Sequence, residues 1–227
     1  MRIKLKSINS YNFSLLRPGA VIPNEFRSKL VRSISVDSSL IDSPSELPSS
    51  PHSFPISLYD TIMPYKMEFQ VDGGCRLNGR SNAFGAAACC WMLRWNNHKG
   101  RVLKLPQNMR PIPTSQRAEL HAIILALEWA VERHGQLNNR PKFRVNIQTD
   151  SQYAYGCMSQ WLPRWQRNGF LNCRGTKVSN SDLIQKASKL QDKIEDEMRG
   201  TVCYRWVPRN KNELANEYAT DAIFEQI

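Results

Sequence analysis

Apolar and polar positions fall into regular patterns only from about residue 65 onward. Met67, Phe69 and Val71 alternate with Glu68, Gln70 and Asp72, the period of two expected of a strand with one buried face, and Gly73–Gly74 predicts where that strand ends. The apolar stretch over 83–95 predicts a second strand. Residues 101–105 predict a third, paired with the second as an antiparallel hairpin across a turn at 96–100. Over 114–133 the period changes. Leu120, Ile123, Ile124, Leu127 and Val131 recur at helical spacing, and Thr114 or Ser115 stands where an N-terminal cap is needed.

A short β-branched run at 144–148 predicts another strand, and Ser151 can cap a helix running to about residue 158. A Trp-rich basic segment follows. An amphipathic helix over 181–198, a strand over 202–207 and a closing helix over 212–224 complete the pattern. The order β-β-β-α-β-α-α-β-α predicts an α/β fold with an opening antiparallel meander and later crossover strands.

Residues 1–64 lack both periods. The run SISVDSSLIDSPSELPSSPHSFPIS is rich in Ser and Pro, a composition that buries too little apolar surface to offset the entropy of ordering. The expected organisation is a disordered, basic Ser/Pro-rich tail over 1–64 and one domain over 65–227. The first 36 residues carry seven basic residues against one acid, Glu25. A basic arm is preferred to an organellar leader there, since no clean amphipathic helix is visible. The expected location is therefore intracellular, in nucleus or cytoplasm rather than the mitochondrion.

Net charge is +11, from 31 Lys and Arg against 20 Asp and Glu. The excess lies mainly beyond the tail: 7 basic and 5 acidic residues in 1–64 leave 24 against 15 for the rest. That balance suits a polyanion-binding protein, because cations placed on phosphates release counterions. No apolar run reaches the roughly 18 residues of a membrane-spanning helix. The six cysteines, at 75, 89, 90, 157, 173 and 203, show neither CxxC nor zinc spacing, so buried free thiols are expected.

Three acids stand at informative places. Asp72 lies at the expected end of the first strand, Glu119 in the first turn or so of the long helix, and Asp150 at the end of the 144–148 strand. Such ends gather at one edge of an α/β sheet. Carboxylates clustered there would repel one another unless hard cations were bound, and Mg²⁺ takes oxygen ligands while keeping waters and substrate phosphates in its shell. Two such ions about 4 Å apart can cleave a phosphodiester.

The surrounding words are more specific. VDGGCRLNG around Asp72, TSQRAELHAIILALE around Glu119, TDSQYAYGCMSQWLPRWQRNGF from Thr149, KVSNSDL at 177–183 and WVP at 206–208 closely resemble the motifs of the type 1 ribonuclease H family. The resemblance covers about residues 67–224. It implies a ribonuclease H-like fold, with a mixed five-stranded sheet of three antiparallel and two parallel strands flanked by helices. It also implies an endonuclease that hydrolyses the RNA strand of RNA–DNA hybrids with two Mg²⁺ ions (Mn²⁺ as substitute), leaving 5′-phosphate and 3′-hydroxyl ends. Asp72 would bridge both ions, with Glu119 and Asp150 completing the ion on the leaving-group side. RNA–DNA hybrid is the expected partner; no protein partner or membrane is expected, and the chain is expected to be monomeric.

The last motif departs from the family's Val-Pro-Gly-His followed by Asn-Glu-x-Ala-Asp. In WVPRNKNELANEYATD, aligned without a gap, the family His falls on Asn210 and the fourth catalytic Asp on Thr220; a competing register, matched through Pro-Arg-x-x-Asn-x-x-Ala, puts that Asp on Asn216. Both registers lose the acid. Glu217 and Asp221 share a helix face with Thr220 and are candidate substitutes. A slower nuclease is expected rather than a dead one, the alternative being a catalytically impaired hybrid-binding domain of the same fold. The resemblance further implies that Trp161 and Trp165 contact the DNA strand, and that Thr114 and Asn180 form a pocket for a DNA phosphate. Ile112 replaces an arginine expected beside that pocket. Asn78, Ser115, Gln116 and Asn216 complete the candidate nucleic-acid contacts, at the minor groove for the first three, where the 2′-hydroxyl separates RNA from DNA.

Overall fold

The computed structural model describes residues 64–227 except Asn96 and Asn139. The tail expected over 1–64 therefore lies, Pro64 apart, outside the described residues. Five strands form one sheet: β1 (Tyr65–Arg76), β2 (Phe84–Met92), β3 (His98–Leu105), β4 (Phe143–Thr149) and β5 (Gly200–Trp206), in the order β3-β2-β1-β4-β5. β1, β2 and β3 pair antiparallel, while β4 pairs parallel with β1 and with β5. The helices are α1 (Ser115–Gly135), α2 (Gln152–Tyr155), α3 (Leu162–Arg167), α4 (Ser181–Asp192) and α5 (Glu213–Phe224). A π-helical stretch (Gly156–Trp161) joins α2 to α3, and a second (Lys193–Glu197) ends the helix that the sequence pattern ran unbroken to 198.

Two further boundaries differ from expectation. Gly73–Gly74 does not end β1. The strand continues to Arg76 because Gly73, Gly74, Cys75 and Arg76 find partners on β2, from Ala87 to Phe84, and a paired backbone has no reason to turn. β3 likewise starts at His98, three residues before the expected point, opposite Met92. The cysteines are all free, but Cys173 and Cys203 are exposed rather than buried.

Sheet alternation assigns the faces. Met67, Phe69 and Val71 are fully buried and join Leu120, Ile123 and Leu127 of α1 in the core. Phe69, Trp91 and Trp129 pack ring to ring with centroids 5.8–6.1 Å apart, each such ring contributing about 2–3 kcal/mol by burial. On this face Gly73 lets α1 come close: a Cβ there would stand 2.2 Å from the Ala118 carbonyl carbon and 2.4 Å from the Glu119 nitrogen. Gly74 points to the other face, where its Cβ would meet Ile223 of α5 at 2.8 Å. β2 is buried along nearly its whole length because α1 covers one side and α5 the other.

Candidate active site

The parallel pairing of β1 and β4 ends at Val71↔Thr149. The next residues are Asp72 and Asp150, so the sheet itself sets two carboxylates side by side where the strands part. The third arrives from α1. Thr114 caps that helix by accepting from the Arg117 N–H at 3.2 Å, and Glu119 follows one turn later, level with Gly73.

The three acids act on one another. Burial pushes the Asp72 carboxyl up to about 6, aided by the charge of Asp150 and a shared hydrogen bond with it. Glu119 is pushed up to about 9, first by burial and then by Asp72 and Asp150. Arg209 and the Gly73 N–H pull both back down. Glu119 Oε2 is buried and has no hydrogen-bond partner. A buried acceptor left unpaired costs about 1–3 kcal/mol, so an orphan of this kind marks a place for a cation.

Asp150 is held differently. Asn212, fully buried, donates from Nδ2 to Asp150 Oδ1 at 2.7 Å and to the Val71 carbonyl at 2.9 Å. It therefore ties the ends of β1 and β4 to the start of α5. Arg209, in the 3₁₀ turn Arg209–Lys211, brings Nη1 to 3.6 Å from Asp150 Oδ2 and donates from Nη2 to Asn216 Oδ1. The Trp206 indole donates to the Asp150 carbonyl at 3.0 Å. Among the described residues no group of three His, Cys, Asp or Glu side chains is already disposed as a metal site; both oxygens of Asp150 face nitrogen donors. The donor set itself, three oxygen acids with one oxygen unpartnered, is that of a hard cation.

The closing helix separates the two registers of the last motif. Asn216 reaches the acids through Arg209. Thr220 is exposed, and Glu217 and Asp221 line a groove of about 610 Å³ with His98, Val102 and Lys104. Burial and, after it, the charge of Glu217 raise the Cys90 thiol, and Glu217 is not among the groups that shift Asp72 or Glu119. The structure thus does not bring either substitute acid to the cluster. Asn210 is exposed in the 3₁₀ turn.

The candidate nucleic-acid residues fall into two groups. Around the start of α1, Asn78 Oδ1 accepts from the Ser115 N–H at 3.0 Å, and Gln116 is exposed beside it. Arg117, absent from the sequence reading, lies between Thr114 and Asn180. It makes a two-pronged ion pair with Asp182 at 2.7 and 3.0 Å, and its Nη1 donates to Asn180 Oδ1 at 3.4 Å. Asn180, in the left-handed region at φ 58, also donates to the Tyr153 hydroxyl at 3.0 Å. In the second group, Trp161 is 41% exposed while Trp165 packs against the core, their rings 5.6 Å apart. The π-helical turn aims Trp161, and only a glycine at 156 admits it: a Cβ there would lie 2.7 Å from the indole. Trp161 and Trp206 border a groove of about 420 Å³ with Gln152, Tyr153, Tyr155 and Gln160.

Arg209, Asn212 and Arg117 were missed by the sequence reading. Asn212 had a visible signal, since it heads the Asn-Glu-x-Ala run of the second register. Arg209 had one too, as the Arg of the Pro-Arg pair through which that register is matched.

The family model described as RNase H matches residues 64–224. The ribonuclease H of Pelobacter propionicus is 30% identical over 163 residues, covering 70% of this chain and 85% of its own. That of Schizosaccharomyces pombe is 31% identical over 167 residues, 74% of this chain and 54% of its own. Among solved structures, a type 1 RNase H with the type 2 active-site motif superposes with a TM-score of 0.55 at 24% identity, covering 73% of this chain and 75% of that one. A foamy viral protease-reverse transcriptase in complex with dsDNA superposes at 0.53 with 20% identity, over 70% of this chain and 94% of that one. Both likenesses are of fold.

Proposed function

The chain belongs to the RNase H family, and from that premise we propose that it is an endonuclease hydrolysing the RNA strand of RNA–DNA hybrids, leaving 5′-phosphate and 3′-hydroxyl ends. The observation that carries this reading is the convergence of Asp72, Glu119 and Asp150 at the fork between β1 and β4, with a buried oxygen of Glu119 unpaired.

The family depends on divalent cations. Asp72, Glu119 and Asp150 are the residues that would hold Mg²⁺ or Mn²⁺ here. Such an ion, when bound, neutralises charge on the phosphodiester and lowers the pKa of bound water. Everything else is supplied by the chain. Asn212 fixes the rotamer of Asp150 and couples it to the last residue of β1 that pairs with β4. The glycine at 73 lets α1 carry Glu119 in to the strand end.

Around this centre the duplex is positioned by contacts that read shape. The Thr114 oxygen already accepts from the Arg117 N–H, which leaves its hydroxyl hydrogen for a phosphate oxygen. Asn180 is braced by Arg117 and Tyr153 and keeps one amide hydrogen for the same phosphate. Asn78 spends its carbonyl on Ser115, so its amide hydrogens face outward for the minor groove. Trp161 presents an indole face, with Arg164 and Arg167 in the following turns, as a platform for the DNA strand.

The test is cleavage of an end-labelled RNA–DNA hybrid in Mg²⁺ or Mn²⁺ beside Asp72→Asn. Cutting of the RNA strand by the parent chain is expected, with a loss of at least about a thousandfold in the variant, roughly 4 kcal/mol of barrier. Hybrid binding without cutting in either metal would overturn the enzyme and leave the hybrid-binding domain, the reading favoured by the amides at 210 and 216.

A further inference from the structure

The sheet is covered along its full width on the core side alone. On the opposite face α5 packs against β1, β2 and β3. Over β4 and β5 no helix among the described residues lies on that face, where Arg144, Cys203 and Arg205 are exposed. The alternation of the strands puts them there, since Val145, Ile147 and Val202 point into the core and their neighbours must point away from it.

This open face is cationic. Arg144 stands in register with Lys66, and Arg205 with Gln148. Lys211 borders the same face, its carbonyl accepting from Gln70 Nε2 at 3.1 Å. Glu68 is the one acid among these strand positions, and it is already held by Lys66 at 2.6 Å and by Asn146 Nδ2 at 2.9 Å. Arg144, Arg205 and Lys211 make no ion pair among the described residues. Unpaired cations on an uncovered surface suit a polyanion. From Lys66 to Gln70 the face runs about 13 Å along the strands, and about 10 Å across β1, β4 and β5, room for one strand of nucleic acid rather than a duplex. No aromatic side chain stands on it to stack bases, as single-stranded DNA platforms usually require. Asn146 and Gln148 instead offer amides, which match a 2′-hydroxyl that both donates and accepts. Gln148 and Arg205 directly precede Thr149–Asp150 and Trp206, so the track begins at the edge where the acids converge.

We propose that the open face of β4 and β5 is a binding track for single-stranded RNA continuing from the RNA strand of a hybrid. Arg144, Arg205 and Lys211 take its phosphates, and Asn146 and Gln148 its 2′-hydroxyls. The inference rests on the hybrid-nuclease reading above and adds a substrate class to it: hybrids with an RNA overhang are held more tightly than blunt ones.

The experiment measures binding by fluorescence anisotropy in chelator, with the full-length chain and three probes: a blunt hybrid, and the same hybrid with a single-stranded extension of RNA or of DNA, of about eight nucleotides, at either end. An RNA extension at one end is expected to tighten binding about tenfold, and to steepen the fall of log K with log salt by about 1.5–2, as two or three phosphate contacts do in a single strand. The double variant Arg144→Glu/Arg205→Glu is expected to lose that gain while binding and cutting blunt hybrid as the parent does. Thermal melts check its folding, and Arg144→Ala/Arg205→Ala, which adds no repulsion, is expected to lose most of the gain too. Cys203 lies on the face and is exposed, so the RNA extension should slow its alkylation beyond what blunt hybrid does, with exposed Cys173 as the reference. No gain from RNA at either end overturns the inference, as does an equal gain from DNA, a gain that survives in a folded variant, or an equal loss of blunt-hybrid binding. Capture of the parent but not the variant on vesicles of anionic lipid, with no gain from RNA, overturns it in favour of a membrane surface. A parent chain that gains from the RNA extension but cuts no hybrid in Mg²⁺ or Mn²⁺ keeps the track and removes the proposed nuclease instead.

Discussion

Helices α1 and α5 both bring their first turns to the open end of the sheet, from opposite faces, and the two turns are built differently. The start of α1 is closed and self-satisfied. Thr114 caps it, Asn78 holds the Ser115 N–H, and Arg117 locks onto Asp182 and Asn180. It delivers a carboxylate into contact distance of Gly73. The start of α5 has no side-chain cap bond. Its N-cap residue, Asn212, turns its amide away from the helix and onto β1 and Asp150 instead, and the next turn delivers Asn216 with a guanidinium. One helix start contributes negative charge and is rigidly seated. The other contributes an amide clamp and positive charge, and gives up its own cap to do so.

The sharpest way to break the comparison is on the α1 side. Gly73→Ala would set a Cβ 2.2 Å from backbone of α1. Backbone cannot yield as a side-chain end can, so a loss of about 3 kcal/mol or more is expected, read by thermal or urea unfolding, with hybrid cleavage lost in proportion. A variant within 1 kcal/mol of the parent would show that α1 is not seated on Gly73.

On the α5 side, Asn212→Ala leaves Asp150 Oδ1 and the Val71 carbonyl without their buried donor. Expected are about 1–3 kcal/mol of stability and a 10–100-fold drop in cleavage, the usual cost of removing a group that orients a ligand. Unchanged cleavage with lowered stability would mean that Asn212 fastens the fold but does not position Asp150.

The acids give a pH signature. A carboxyl raised in the folded chain binds its proton more tightly than in the unfolded chain, so the stability it contributes is present at low pH and lost as pH rises. The window runs from the ordinary 3.8 to about 6 for Asp72 and from 4.5 to about 9 for Glu119. Chelated protein should lose several kcal/mol between pH 4 and 9. Asp72→Asn should flatten the lower part of that slope, and added Mg²⁺ should oppose it at neutral pH. Melting curves in chelator across pH measure this, and a slope of opposite sign would show the cluster compensated from within.

The smallest expected effect tests the cap. Thr114→Ala should cost about 1 kcal/mol and weaken hybrid binding slightly, whereas alanine at the uncapped Ser181 start of α4 should do neither.

Much of this was legible from the residues. Periodicity gave the helices and strands because burial follows period, and the acid motifs placed Asp72, Glu119 and Asp150 because strand ends and helix starts share an edge. What could not be read was pairing across distance. Gly73–Gly74 resembles a strand end locally, but the partners on β2 that carry the strand onward lie in another segment. The register of the last motif was open between Thr220 and Asn216, since both sit on the same helix. Only contact with Arg209 distinguishes them, and that contact depends on a 3₁₀ turn with no periodic signal. Cys173 and Cys203 were expected inside because cysteine usually is; Cys203 lies on the edge strand β5 and Cys173 in the loop between α3 and α4, and both are exposed.

The strand that carries Asp72 is the middle one, paired with β4 over 65–71 and with β2 over 68–76. Its amides should therefore be among the last to exchange with solvent, opening only with the whole domain. A nucleic acid entering the site meets an acid it cannot reposition. Any adjustment must come from the short turn that carries Arg209, exposed and held by a few bonds. The molecule thus divides its reaction centre between its central paired strand and a short exposed turn, and an evolving variant has far more freedom to retune the guanidinium than the carboxylate it faces.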